Sequence, residues 1–209
     1  MKNISILFLA LTLSLVSCKN EKNKTTTTDT ETAPPTETAM YIAKPTATTI
    51  SWTAYKTTDK IPVNGTFTQI NFDEKSGSSP QEALNSLSFS IPVSSLFTKD
   101  SIRDNKLKAS FFGAMLDTEL LSGTLKVEGN NCIASLTMNG VTNDLPLEMI
   151  ITEERRVTLS GIMQLKDWNA LEALNSLNKV CFDLHKGPDG ISKTWEEVKI
   201  EVSIYLRDK

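Results

Sequence analysis

From Ile50 to Leu206 the chain returns again and again to one pattern, apolar and polar residues alternating with a period of two. Such alternation puts successive side chains on opposite faces of a strand, so each segment has one apolar face to bury. "ISWTAYK" and "VNGTFTQINF" come first; in "SLSFSIPV", Leu87, Phe89, Ile91 and Val93 share one side and Ser86, Ser88 and Ser90 the other. "GTLKVEG", "CIASLTMNG", "DLPLEMII" and "RVTLSGIMQL" follow, and Asn139-Gly140 is a strong tight-turn signal. The chain closes with "VKIEVSIYL", where Val198, Ile200, Val202, Ile204 and Leu206 alternate with Lys199, Glu201, Ser203 and Tyr205. About eight one-sided strands result, a number suited to two packed sheets or to a closed barrel. Aromatics make up 7% of the residues, so Val, Leu and Ile must form most of either interior.

Two segments depart from the alternation. In "TKDSIRDNKLKASFFGAM", Asp100 and Ser101 are suited to cap a short helix. In "DWNALEALNSLNK", Trp168, Leu171, Leu174 and Leu177 fall at three-residue steps behind Asp167, the pattern of a helix packed by one stripe and capped at its start.

The amino end reads differently. "MKNISILFLALTLSLVSC" holds a lysine, an apolar run from Ile4 to Val16 and then small residues, the geometry of a secretory signal and short for a membrane span. Its end, "LVSC", resembles a bacterial lipobox, in which cleavage precedes a cysteine that is then acylated. By that resemblance residues 1–17 are a lipoprotein signal peptide and Cys18 is the lipid-bearing residue, with the domain in the cell envelope, anchored to a bacterial membrane and by expectation the outer one. Residues 18–40, rich in Thr, Glu, Lys and Pro, bury too little apolar surface to offset ordering entropy and read as a linker. Residues 41–209 are the folded domain. Whether Cys132 and Cys181 pair is not decided by their spacing, although Cys132 shares parity with Ala134, Leu136 and Met138, as a buried thiol would.

A net charge of −3 with scattered Lys and Arg lacks the clustered basic face that nucleic-acid binding needs. There is no G-x-S-x-G elbow, no H-E-x-x-H helix and no phosphate-cradling glycine loop. The single histidine, His185, has no evident catalytic partner, and Glu153-Glu154 and Glu196-Glu197 would point to opposite faces of a strand. The expectation is a protein without catalysis, cofactor or metal.

"TISWTAYK", "VNGTF", "SIPVSSLFTKDSIRDNKLKASFF", "LTMNGVTNDLPLEM" and "WEEVKIEVSIYL", in that order, resemble the YceI-like family of bacterial periplasmic proteins. The resemblance implies an all-β fold, an extended eight-stranded antiparallel lipocalin-like β-barrel with one or two short helices and an apolar tunnel. It implies binding or transport of a long-chain amphiphile, a polyisoprenoid, an isoprenoid quinone or a similar lipid. Trp52, Ala54, Phe67, Phe89, Ile91 and Leu147 are the expected tunnel wall, and Lys56, at the end of the inward face of its strand, is expected at the mouth beside an anionic or carbonyl head. Lys60 and Lys106 are weaker companions. Lysines stand at 56 and 106 where many family members carry histidine. The competing expectations are a surface lipoprotein with a filled barrel and no ligand, and, for Lys56, simple exit of the strand into water. A homodimer, if one forms, would use side-chain surfaces, since a closed barrel has no free strand edge.

Overall fold

The computed structural model describes residues 40–209. The segments expected as signal peptide and linker, Cys18 among them, lie outside the described residues but for Met40. These form thirteen strands: β1 (Tyr41–Ile42), β2 (Thr48–Lys56), β3 (Ile61–Phe67), β4 (Asn71–Phe72), β5 (Ser76–Gly77), β6 (Ser88–Pro92), β7 (Leu96–Phe97), β8 (Leu120–Glu128), β9 (Asn131–Met138), β10 (Val141–Thr152), β11 (Arg156–Gln164), β12 (Glu197–Tyr205) and β13 (Arg207–Asp208). Three α-helices accompany them, α1 (Pro80–Leu84), α2 (Ser101–Lys106) and α3 (Leu171–Val180), one more than expected.

Ten strands make one curled antiparallel sheet in the order β4-β6-β8-β9-β10-β11-β12-β2-β3-β7. The expected count of eight is therefore corrected to ten, and the two-layer alternative falls. The reason lies in two interruptions. β3 and β4 are consecutive in the chain yet sit at opposite ends of the sheet order, and so do β6 and β7. The 3-10 turn Val93–Ser95 separates β6 from β7, and the pairing shifts register across it: Phe67 faces Leu96, whereas Phe72 faces Phe89. At the break the Thr68 amide donates to the Ser95 carbonyl at 3.0 Å. These two segments thus run along each other and bring the ends of the curled sheet together.

A small sheet, β13-β1-β5, and α1 cover one end. Ala83 and Leu84 of α1 are fully buried there, near Leu87 and Leu206. Helix α1 starts because Ser79 accepts from the Glu82 amide and Pro80 occupies the first turn, while Glu82 accepts in return from the Ser78 amide.

The helical insertions gather at the other end. Asp100 caps α2 as predicted, accepting from the Ile102 and Arg103 amides. The chain then continues as a π-helical stretch, Leu107–Phe111. The predicted cap at Asp167 is not one. Asp167 lies in a 3-10 turn, Leu165–Trp168, and Asn169 turns left-handed (φ 53°) before α3 begins behind Ala170 without a side-chain cap. Of the predicted stripe, Trp168, Leu174 and Leu177 are buried, but Leu171 is exposed. Cys132 and Cys181 are both buried and, among the described residues, unbridged.

Candidate functional site

Between the inward faces of the sheet lies a cavity of about 180 Å³. Its lining is apolar from one end to the other, except where Thr194 and Trp195 enter it ahead of β12. Trp52, Ala54, Phe67, Phe89, Ile91 and Leu147 all lie in that lining. The two insertions, whose apolar stripes suit them to cover one end of a barrel, also enter the lining, through Leu107, Phe111 and Phe112 of the π-helical region and Leu174 and Leu177 of α3, residues not named for the wall from sequence. The three-residue step of the leucines carried that signal; the π geometry had none.

Three glycines shape the wall. Gly65 pairs with Trp52, Gly123 pairs with Phe89, and Gly161 lies beside Leu147. A Cβ at Gly65 would lie inside the Trp52 indole, one at Gly123 would meet Phe89 Cζ at 2.8 Å, and one at Gly161 would meet Leu147 Cδ2 at 2.8 Å. Each large side chain therefore lies over a bare patch of backbone on a neighbouring strand. The wall is thinned where it carries its bulk. The Trp52 Nε1–H is buried there without a hydrogen-bond partner among the described residues.

Lys56 is not part of the lining. Its strand pairs with Thr194 through an isolated bridge, and its Nζ donates to the Leu184 carbonyl at 3.3 Å. It therefore stands one step outside the cavity, against residues 181–195. Lys60 is committed elsewhere: it pairs with Glu197 and lies over the Trp195 ring, 4.8 Å from its centroid. Trp195 is further fixed by its own Nε1–H, which donates to the Thr57 carbonyl at 2.8 Å.

A small polar relay marks this end. The Thr194 hydroxyl donates to Asn178 Oδ1 at 2.8 Å and lies 2.7 Å from His185 Nδ1. With that hydroxyl proton already committed, the neutral imidazole donates from Nδ1. Burial, reinforced by the positive charges of Lys56 and Lys106, pushes the His185 pKa down to about 4. Burial likewise raises the Cys181 thiol, while the same two lysines act in the opposite direction. Lys106, at the end of α2, thus lies close enough for its charge to act on both groups. Among the described residues no three of His, Cys, Asp and Glu converge as a metal would need.

This arrangement can sequester an apolar chain and offer hydrogen bonds and positive charge at one end. The chain is similar in fold to a polyisoprenoid binding domain from Saccharophagus degradans implicated in plant cell wall breakdown, with a TM-score of 0.60 at 12% identity over 82% of this chain and 99% of that one. It is also similar to BcnA of Burkholderia cenocepacia, with a TM-score of 0.51 at 15% identity over 79% of this chain and 99% of that one. No curated protein matches the sequence. Residues 41–206 match the YceI-like domain, and the chain belongs to that family.

Proposed function

We propose that this protein binds a long-chain amphiphile, a polyisoprenoid, isoprenoid quinone or similar lipid, inside its curled sheet and without catalysis. The observation that carries this reading is a cavity whose lining is apolar except at one end, where Thr194 enters it beside His185 and Lys56. A tail shielded there gains roughly 25 cal/mol per Å² of apolar surface removed from water. The structural likeness to a polyisoprenoid binding domain supports the same cargo class. In this reading Lys56 and Lys106 face a head group that carries negative charge or a carbonyl oxygen.

The volume favours a second reading. A cavity of about 180 Å³ is below the roughly 300–1,000 Å³ usual for ligand pockets, as a structural lipoprotein with a filled barrel would have. Loading a long tail requires aromatic side chains such as Phe111 and Phe112 to give way. Organic-solvent extraction of the purified protein followed by mass spectrometry separates the two. A stoichiometric long-chain species upholds the carrier, and its absence from protein purified under native conditions upholds the filled barrel.

The same reading places the protein in the cell envelope as a lipoprotein, cleaved after residue 17 and acylated on Cys18, with residues 18–40 as tether and 41–209 as domain. The support is the "LVSC" sequence. Cys18→Ala is expected to abolish the acyl mass on the amino-terminal peptide and release the protein from the membrane fraction. Retention of both would end the anchor assignment.

A further inference from the structure

Four large apolar side chains lie exposed within twelve residues: Val180, Phe182, Leu184 and Ile191. They belong to the end of α3 and to the loop that follows it, which folds back on itself: the Gly187 amide donates to the Ile191 carbonyl and Lys186 bridges to Ser192. The same loop reaches the cavity, since Thr194 and Trp195 line it, and it rests on Lys56 through the Leu184 carbonyl. Ile102, 69% exposed, sits one helical turn from Lys106, whose charge reaches His185 in this loop. An exposed apolar cluster of this density marks an interaction surface rather than scattered exposure.

The charges around it say which kind. The segment Lys179–Trp195 carries Lys179, Lys186 and Lys193 against Asp183 and Asp189, and Lys56 reaches it through the Leu184 carbonyl, while Lys60 is paired with Glu197 and Arg103 with Asp100. Lys186 lies 5.3 Å from the Phe182 ring centroid, within 3.9 Å of Asp183, and Lys193 lies 3.6 Å from the ring centroid of Trp195, so an ammonium group sits over each of these rings. Apolar tips encircled by lysines match the layering of a bilayer surface, acyl chains below and anionic head groups above. A second copy of this chain would set the lysines of one surface against those of the other.

We infer that the segment from Lys179 to Trp195, together with the α2 face bearing Ile102 and Lys106, is a membrane-docking rim that presses the cavity mouth onto a bilayer containing anionic phospholipid. The inference rests on the lipid-binding reading for its purpose: cargo passing between bilayer and cavity under this rim never crosses water.

The test uses the full-length protein reconstituted in vesicles of phosphatidylethanolamine with a minority of phosphatidylglycerol. An environment-sensitive dye is placed on Leu184→Cys, on Ile191→Cys and, as control, on Ile150→Cys, an exposed site near the far end of β10. Cys132 and Cys181 are buried, which protects them from the dye. Dyes at 184 and 191 are expected to shift to the blue and to be quenched by nitroxide-bearing lipids, while the dye at 150 is not. Reversing Lys179, Lys186 and Lys193 to Glu is expected to lower the quenched fraction about tenfold, as is replacing the bilayer with phosphatidylcholine alone. Equal quenching at 150 and 184 overturns the inference, because a tether alone would allow any orientation. A blue shift at 184 that needs no vesicles and grows with protein concentration also overturns it, in favour of self-association. Mass spectrometry of the extracted protein, run in parallel, keeps the two readings separate: docking without cargo defeats only the carrier, and cargo without docking defeats only the rim.

Discussion

Trp52 and Gly65 face each other across β2 and β3, and the indole occupies the space that any other side chain at 65 would need. Gly65→Ala is therefore expected to lift the ring into the cavity at a cost of about 1–3 kcal/mol, the range for overpacking a filled interior, read as a lower denaturation midpoint with a shifted tryptophan emission. The alternation in the sequence shows that residue 65 points inward; it does not show that a neighbouring ring lies on it. His185 gives a pH prediction. Its folded pKa of about 4 lies below the ordinary value of 6.5, so between those two pH values the unfolded chain takes up a proton that the fold resists. Stability should fall as the pH drops from 6.5 towards 4 and change no further from this group below that. Unit conversion sets a ceiling of about 3 kcal/mol, and solvent screening at a partly buried site reduces it to about 1–2 kcal/mol. Denaturation midpoints at the two ends of the window, flattened by His185→Gln, check the assignment. Lys56→Met should weaken a ligand with an anionic or carbonyl head far more than a plain hydrocarbon, and equal affinities in a titration would remove Lys56 from head-group contact.

At the level of elements, the turn between β9 and β10 does more than reverse the chain. Asn139 and Gly140 are both left-handed, as the Asn-Gly pair predicts, and the Asn139 side chain ties two insertions to the hairpin. Its Oδ1 accepts from the Leu116 amide at 2.9 Å, and its Nδ2 donates to the carbonyls of Trp168 and Asn169 at 3.0 and 3.1 Å. Asn139→Gly keeps the turn and removes these ties, so a loss of about 1–3 kcal/mol is expected, with amide exchange accelerating in the 165–171 turn before it does in β9. The strands were legible because each carries its own alternation. Asp100 was legible because its acceptor sits directly before a helical run. The false cap at Asp167 has an equally local cause: Trp168 is held by its Nε1–H, donating to the Leu136 carbonyl at 2.8 Å, and Asn169 can adopt the left-handed bend that delays the helix. A bond to a residue more than thirty positions away leaves no mark in a window of thirteen.

For the molecule as a whole, period-two patterning fixes which faces turn inward but not how the sheet meets itself. The register shift that brings β4 and β7 to its ends arises from the Val93–Ser95 turn, a segment that reads as strand from its parity. The cavity is legible to the same degree: the six residues expected in its wall line it, because parity settles direction, while the depth at which Lys56 sits beside residues 184 and 194 depends on the loop that packs on it, which parity does not show. If the proposed cargo occupies this space, side chains that fill it must displace the cargo. Ala134 lines it from β9 and is buried, with Leu125 and Leu145 as its partners on either side. Ala134→Phe places a ring in the space without touching any exposed group. Ala54→Phe does the same from β2, so a fold defect in one variant does not silence the experiment. If the lipid resides inside, both variants should fold, keep the far-ultraviolet signature of a β protein, and lose the extractable long-chain species. Full retention of that species in two folded, blocked variants would place the lipid on the outer surface and leave the curled sheet as a scaffold.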